Sequence, residues 1–123
     1  MIINPDLYGQ ISFPDYSVKT ISYDLENKIL VIRIDGIYIE DTITDSSKEC
    51  LITISNWGKF EIFEYHNDKY RKLKIEHIDL LEDICESKIS LDQLVLKGFG
   101  KLSGHWIEYH LSKPNIKIET FDS

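Results

Sequence analysis

The sequence predicts a mainly β domain: an antiparallel sandwich or flattened barrel of about eight strands, with one short helix near residues 76–87. Apolar residues alternate with polar ones along most of the chain, and Val, Ile, Tyr, Thr and Phe are frequent among them, as in half-buried strands. Connections are short and strands do not alternate with helices, which argues against parallel βαβ units. The 123 residues fit a single domain, 1–123, that buries its own core.

Alternation and turn residues together define the individual strands. We expect strands at residues 18–24, 29–34, 50–55, 60–66, 70–75, 90–97, 106–111 and 116–121. A polar segment at 41–48 and turns at 26–28, 56–59, 67–68 and 113–115 separate them. From residue 50 to residue 75, the succession of strand and turn is typical of a meander.

Asp35-Gly36 lies between two apolar runs and favours a type I′ hairpin, because both central residues of that turn need positive φ. Such a hairpin would pair Ile34 with Ile37 and Ile32 with Ile39 on one buried face. The alternative is one long strand with a bulge at the glycine, which would also turn the isoleucines on both sides inward.

The hydrophobic period changes at residue 76. Ile78, Leu81, Ile84 and Cys85 fall three or four positions apart, which would form one apolar stripe along a helix. The acids of this segment would lie mostly on its other side: Glu76, Asp79, Glu82, Asp83 and Glu86. The sequence therefore predicts an acidic helix over residues 76–87, directly after a basic run at 69–74.

Composition excludes several functions. Twenty-one acids against fourteen Lys and Arg give a net charge of −7, which repels nucleic-acid phosphates and favours a basic partner. No apolar run approaches the roughly 18 residues of a membrane span, and the amino terminus lacks a signal-peptide pattern, so we expect a cytoplasmic protein without a membrane partner. Cys50 and Cys85 lack CxxC spacing and are interpreted as small core residues, with a single disulfide between them left open.

Gly98, Gly100 and Gly104 give the spacing GxGxxxG, one residue off the dinucleotide-binding fingerprint. They also lead into a strand, whereas the fingerprint needs a helix whose amino terminus binds the pyrophosphate. We therefore predict no cofactor. The glycines are expected to supply positive φ in a strand connection, or to let another part of the backbone approach closely.

The strand at 106–111 has one apolar face and one polar face, and Trp106, Glu108 and His110 lie on the polar one. Glu108 and His110 could form an acid–base pair, but without a Ser or Cys nucleophile motif a structural or binding role is favoured, and no catalytic residue is assigned. His105 and His110 are five residues apart and point to opposite faces. With HxH and HExxH also absent, no metal site is predicted.

Two local patterns resemble a group of small bacterial proteins. Phe13-Pro14-Asp15-Tyr16-Ser17-Val18, followed by Ile21-Ser22-Tyr23-Asp24, resembles their opening strand, and Trp106-Ile107-Glu108-Tyr109 resembles a strand near their carboxyl ends. Some of these β-rich proteins look like immunity proteins of bacterial toxin systems. The resemblance implies a non-enzymatic domain that binds and neutralises a partner.

Charge and resemblance together predict a protein-binding domain, in its specific form an immunity protein that neutralises a basic, nuclease-like toxin. Two groups of residues are the candidates for partner binding: the acids Asp79, Glu82, Asp83 and Glu86 for steering, and Trp57, Trp106, Glu108 and His110 for contact. We expect Tyr109 to assist as an anchor. The alternatives are a small β-barrel that holds an apolar or amphipathic ligand among its aromatic residues and, more remotely, a hydrolase that uses Glu108 and His110.

Overall fold

The computed structural model describes residues 1–40 and 48–121, so that most of the predicted polar segment at 41–48 lies outside the described residues. Their strands are β1 (Ile11–Ser12), β2 (Tyr16–Asp24), β3 (Ile29–Ile34), β4 (Tyr38–Ile39), β5 (Glu49–Ser55), β6 (Lys59–His66), β7 (Lys69–Leu73), β8 (Asp83–Ile84), β9 (Glu86–Ile89), β10 (Gln93–Phe99), β11 (Trp106–Ser112) and β12 (Asn115–Phe121). Two 3-10 helices span Pro5–Gln10 and Ile75–His77.

The strands form a β-sandwich, which confirms the predicted fold class and decides against the barrel. The front sheet has the order β7-β6-β11-β10-β9, and the back sheet has the order β12-β5-β3-β2-β8. All the strand pairs are antiparallel, and β1 and β4 form a separate two-stranded sheet. The eight strands of five or more residues correspond to the eight runs that alternation predicts.

The core lies between the inner faces of the two sheets. Ile107, Tyr109 and Leu111 of β11 point inward and are fully or almost fully buried, as the two-faced pattern of this strand predicts. Ile32 of β3 and Ile52 of β5 oppose them from the back sheet, also without exposed surface. One continuous hydrophobic cluster therefore joins both sheets and holds the front sheet in place.

The helix predicted over residues 76–87 is wrong. Only residues 75–77 form a 3-10 turn, and the segment then continues into β8 and β9. Its backbone groups bond to both sheets: Glu82 accepts from Val18 of β2 and donates to Phe99 of β10. An isolated helix with five uncompensated acids has little intrinsic stability, and these pairings to two sheets replace its internal hydrogen bonds.

The hairpin predicted at Asp35-Gly36 is also wrong, although its isoleucines are buried as expected. β3 already has a neighbour on each side, since β2 pairs with one edge and β5 with the other. No edge of β3 remains for β4, which pairs with β1 instead, placing Ile39 opposite Ile11. The burial of these residues was predictable, but the strand that pairs with them was not.

Two predicted turns connect different sheets. Residues 56–58 lead from β5 of the back sheet to β6 of the front sheet, and Lys113-Pro114 leads from β11 back to β12. The meander expected from residue 50 to residue 75 is therefore limited to the β6–β7 hairpin. There, Asn67 and Asp68 both have positive φ, as a two-residue type I′ turn requires.

The glycine-rich segment connects β10 and β11, as expected. Gly104 has a φ of 74°, and its N–H donates to the Gly100 carbonyl at 2.9 Å. Gly98 and Gly100 are glycines because another segment approaches their backbone closely. A Cβ at Gly98 would lie 2.1 Å from the Asp83 carbonyl oxygen, and one at Gly100 would lie 2.1 Å from Asp79 Oδ2. The expected uses of glycine, positive φ and close approach, thus both occur within one hairpin connection.

Candidate protein-binding face

The outer surface of the front sheet, which we call the front face, is the candidate functional site. Strand alternation places Trp106, Glu108 and His110 on it together, as predicted. Neighbouring strands contribute the rest of this face, which consists of Glu61, Phe63, Tyr65, Tyr70, Lys72, Glu86, Lys88, Gln93, Val95, Lys97 and Phe99.

Four aromatic side chains form a row across the front face. The strand register aligns Tyr70 of β7 with Tyr65 of β6, Tyr65 with Trp106 of β11, and Trp106 with Phe99 of β10. At a strand spacing of about 4.8 Å, the row spans roughly 14 Å. Phe99 and Trp106 meet edge to face at 5.3 Å, while Tyr65, Tyr70 and Phe99 are exposed. The register therefore places four aromatic side chains next to one another on one side of the sheet, and three of them are exposed.

Glu108 lies beside this row and is the centre of its hydrogen-bond network. Although it is on an outer face, it is only 8% exposed, because aromatic side chains cover it. The Tyr70 hydroxyl donates to Oε1 at 2.8 Å, and Trp106 Nε1 donates to Oε2 at 3.1 Å. His110 Nε2 lies 2.8 Å from Oε1, and Lys97 Nζ lies 3.9 Å from the same oxygen. One carboxylate thus fixes the orientation of three ring side chains.

The contacts of Glu108 determine its protonation state. Burial alone would raise the pKa of Glu108, but hydrogen bonds from His110, Tyr70 and Trp106 and the charge of Lys97 outweigh it and lower the pKa below the ordinary value. The same site raises the pKa of Tyr70 to about 12, by burial and by the neighbouring carboxylate. Because an ionised carboxylate only accepts hydrogen bonds, His110 must donate to it through Nε2–H.

Phe63 completes the cluster from β6. Its ring stacks on Tyr70 at 5.2 Å with an interplanar angle of 9°, and it meets His110 edge to face at 5.0 Å. Beyond His110 the surface is concave: two adjoining depressions of about 330 and 360 Å³ share Gln93, Val95 and His110 in their walls. The front face therefore combines a projecting aromatic row with a shallow hollow that begins at His110.

Two of the predicted steering acids are structural. Asp79 is only 7% exposed, and its carboxylate accepts from the N–H groups of Leu102 and Ser103 and from the Ser103 hydroxyl at 2.6 Å. Asp83 accepts from the Phe99 N–H at 3.0 Å. Both carboxylates hold the 98–105 connection in place, so their assignment to a partner surface is corrected.

The other two acids are exposed but do not form one patch with those two. Glu82 is exposed beside the start of β8, and Glu86 lies on β9 at the edge of the front face, opposite Lys97. Since the helix that would have brought the four acids together is absent, only Glu82 and Glu86 remain available to a partner.

Trp57 is not a contact residue either. It is 5% exposed and packs edge to face on Phe60 at 5.4 Å, in the connection between the two sheets. Tyr109 is fully buried, and its hydroxyl donates to the Asp79 carbonyl at 2.7 Å. Both aromatic residues belong to the core, and Trp106 is the only predicted aromatic anchor that lies on the front face.

The acid–base pair expected at Glu108 and His110 is present as a contact. All its geometry, however, points to a fixed carboxylate: both Glu108 oxygens accept from side chains that orient it, and the pKa is lowered. A general acid at neutral pH needs the opposite shift. The arrangement is suited to holding Trp106, Tyr70 and His110 in one orientation.

Sequence reasoning missed the aromatic partners from other strands. Phe63, Tyr65, Tyr70 and Phe99 all lie in runs that alternate, but alternation does not show which of two faces points to the core when both carry aromatic residues. In β6 the sequence does indicate which face is buried: Ile62, which is aliphatic, lies between Glu61 and Phe63 and is the residue that points to the core.

Both cysteines are free thiols, which resolves the open question of a disulfide. Cys50 is buried in the core as expected, and burial raises its pKa to about 12. Cys85 is partly exposed, and burial together with the neighbouring Asp15 and Asp83 raises its pKa to about 12 as well.

Comparison with known proteins gave no match to a family model, to a curated protein or to a solved structure. Within residues 1–40 and 48–121, none of the helices has the length and apolar character needed to cross a membrane.

Proposed function

We propose that this chain is a non-enzymatic protein-binding domain and that its partner binds to the front face. The observation that carries the proposal is the row formed by Tyr70, Tyr65, Trp106 and Phe99. Trp and Tyr are the residues most enriched among those that dominate binding energy at protein interfaces. Side chains that are already held in place lose little conformational freedom on binding, and the Glu108 network provides that restraint.

The contrast between the two outer faces supports this choice. The outer surface of the back sheet carries ion pairs: Arg33 binds Glu49 at 3.0 Å, and Lys117 lies 3.4 Å from Glu119. Ile29 is its exposed aliphatic side chain. Its exposed aromatic residue is the single ring of Phe121, and the guanidinium carbon of Arg33 lies 6.0 Å from the centre of that ring. Exposed aromatic surface that is concentrated on one of two comparable faces is typical of a binding site.

The specific form of the proposal is an immunity-type inhibitor of a basic protein. Its support is the net charge of −7, which attracts a basic partner at long range, together with two exposed carboxylates: Glu86 at the edge of the front face and Glu82 beside β8 and β2 of the back sheet. The aromatic row then supplies short-range contact, while the acids raise the rate of encounter.

Site-specific photo-crosslinking in the source cells tests the binding face. Benzoylphenylalanine replaces either Tyr65, which is on the row, or Tyr38, which has similar exposure on β4. We expect one discrete heavier product from the chain labelled at residue 65 and none from the control. Excess unlabelled chain should compete for this product, and the Trp106→Ala variant should compete at least tenfold less well, as expected for a dominant contact. The same products at both sites, or none at residue 65, would refute the proposal.

The captured protein then tests the basic-partner form. We compare the double variant Glu82→Lys/Glu86→Lys with Asp6→Lys/Glu26→Lys, which changes the net charge equally at exposed sites elsewhere. The association rate should fall several-fold more in the first variant than in the second, and this difference between the variants should vanish at high salt. Equal rates would remove the steering role of these acids and leave the front face standing. An inhibitor must also abolish the activity of the captured protein at equimolar ratio.

The alternative of a ligand held between the sheets gains no support from the structure. Inner-face side chains such as Ile32, Ile52, Leu96 and Ile107 fill the space between the two sheets and have no exposed surface. The depressions described on the front face are open to solvent.

A further inference from the structure

β7 differs from the other edge strands of the sandwich. In the back sheet, β12 is covered along its outer edge by the amino-terminal residues: Ile3 donates to the Ile118 carbonyl at 2.8 Å and Thr120 donates to the Met1 carbonyl at 2.9 Å. At the other edge of the front sheet, β9 packs against β1 and against the 3-10 helix Pro5–Gln10. Among the described residues, β7 pairs with β6 alone, so its outer edge is open.

The register of the hairpin identifies which backbone groups point outward. In a two-residue hairpin the residues that flank the turn, His66 and Lys69, form a hydrogen-bonded pair, and such pairs alternate along the strands. The N–H and C=O groups of Tyr70 and Lys72 therefore point away from β6. These groups can pair with a further strand.

A groove lies at the carboxyl-terminal end of this edge, where Lys72 and Leu73 end β7 and residues 74–77 follow. It has a volume of about 770 Å³, its apolar walls come from Phe60, Leu73 and Ile75, and its polar rim comes from Lys72, Lys74, Glu76 and His77. Leu73 lies on the inner side of the sheet, and Lys72 on the outer side. At the carboxyl end of β7, an added strand would thus meet Leu73 and Phe60 on the inner side and Lys72 on the outer side.

The edge is basic although the protein is acidic. Lys69, Arg71, Lys72 and Lys74 lie within six residues. Arg71 binds Glu64 at 2.8 Å, and Lys72 binds Glu61 at 3.0 Å. Lys69 and Lys74 are exposed and make no ion pair with any residue that the structure describes. Two exposed lysines beside an edge that no described strand occupies repel a second copy of the same edge and attract an acidic segment.

We propose that β7 binds an extended acidic peptide segment as an additional antiparallel or parallel strand. Backbone hydrogen bonds to Tyr70 and Lys72 provide the affinity, as in other cases of strand addition. The segment alternates apolar residues, which enter the groove at Leu73 and Phe60, with acidic residues, which face Lys72 and Lys74. This inference does not depend on the function proposed for the front face.

The probe is a fluorescein-labelled, amidated nonapeptide of alternating valine and glutamate, with a lysine-for-glutamate peptide as the charge control. Anisotropy should show micromolar binding of the acidic peptide and at least tenfold weaker binding of the basic one. In the wild-type chain, the peptide should slow amide hydrogen exchange at Tyr70 and Lys72. Absence of acidic-peptide binding, or slowed exchange at β12 or β9 instead, would overturn the proposal.

Two substitutions at one residue separate backbone pairing from charge. Lys72→Pro removes the outward N–H, while Lys72→Thr removes the same side-chain charge and retains the N–H. Peptide affinity should be at least tenfold lower in the proline variant than in the threonine variant, and equal affinities would overturn strand addition. Far-UV circular dichroism checks that both variants fold. If the proline variant does not fold, the hydrogen-exchange experiment on the wild-type chain decides whether the peptide adds to β7.

A matched pair of variants tests charge recognition. Lys74→Glu places a negative charge beside the groove, whereas Lys101→Glu makes the same change at an exposed site in the 100–105 connection. The first should weaken binding of the acidic peptide at least fivefold more than the second. Equal effects of the two variants would remove the basic edge as the reason for selectivity.

Discussion

Glu108→Gln tests whether the carboxylate organises the front face. Glutamine keeps the size of the side chain but removes the negative charge, and its amide group cannot accept from all of the donors that converge there: Tyr70 at 2.8 Å, His110 at 2.8 Å and Trp106 at 3.1 Å. A hydrogen bond to a charged group contributes about 1 kcal/mol more than a neutral one, which gives about 3 kcal/mol for three bonds. Because Tyr70 and His110 are partly hydrated, we expect a loss of about 2 kcal/mol.

Urea unfolding followed by far-UV circular dichroism measures this loss without relying on Trp106 fluorescence. With an m-value of about 1.5 kcal/mol/M, the midpoint should fall by roughly 1.3 M. The control is Glu119→Gln, the same substitution at a partly exposed glutamate that forms an ion pair with Lys117. Surface pairs of this kind contribute less than about 1 kcal/mol, so its midpoint should move by less than about 0.7 M.

The pH dependence of the difference gives a second check. The folded-state pKa of Glu108 is lower than its ordinary value of 4.5, so the stabilisation is complete above that value and is lost as pH falls through the lower, folded-state pKa. Protonated glutamate resembles glutamine, and the wild-type and Glu108→Gln chains should therefore converge in stability in acid. A difference that persists unchanged well below pH 4.5, or equal losses for Glu108→Gln and Glu119→Gln, would refute the role given to the carboxylate.

Three further predictions concern the groups that hold the sandwich together. Asp79→Ala should destabilise the protein by about 2 kcal/mol in thermal or urea unfolding, because it removes the carboxylate that accepts from the N–H groups of Leu102 and Ser103 and from the Ser103 hydroxyl, whereas Glu82→Ala should cost less than about 0.5 kcal/mol; similar losses would contradict their different roles. Gly98→Ala should cost more than about 3 kcal/mol or prevent folding, since its Cβ would overlap the Asp83 carbonyl, while Gly9→Ala, with nothing within 4 Å, should be within about 1 kcal/mol of wild type. Both thiols should react slowly with a disulfide reagent in the native protein and rapidly after unfolding, because their pKa values are raised to about 12; rapid reaction of Cys50 in the native state would show that it is not buried.

The long strands were predictable because each one carries its own signal. In β11, Ile107, Tyr109 and Leu111 alternate with polar or amphipathic residues, and this local pattern is enough to assign both the strand and its buried face. Pairing partners carry no such signal. β5 and β6 are consecutive and separated by a short turn, yet they belong to different sheets, because residues 56–58 cross the sandwich.

The acidic segment shows how a local pattern can mislead. Leu81 and Ile84 are spaced as on a helix and both are buried, but they are buried at different places: Leu81 forms a bridge with Gly100, and Ile84 pairs with Tyr16 of β2. The spacing that resembles a helical stripe thus arises from a chain that passes from one sheet to the other. Backbone groups of distant strands decide the outcome, and their presence is not encoded within the segment.

The candidate site was predictable within one strand but not between strands. Trp106, Glu108 and His110 were placed on one face because they belong to one strand, where alternation fixes their relative orientation. Tyr70, which donates to Glu108 from two strands away, is 38 residues distant in sequence. Assembly of the row needs the register of three strand pairs, and that register is set by packing between the sheets.

Tyr70 connects the two surfaces that are proposed to bind partners. An edge strand with one neighbour tends to fray, but β7 is tied to the sheet by side chains as well: Tyr70 reaches Glu108, Arg71 reaches Glu64 and Lys72 reaches Glu61. These ties hold the outward N–H groups of Tyr70 and Lys72 in an extended arrangement before any peptide arrives. Only the incoming segment then has to be ordered, which lowers the entropic cost of strand addition. Because the same tyrosine ring ends the aromatic row, a partner that adds a strand to β7 would also lie next to the front face.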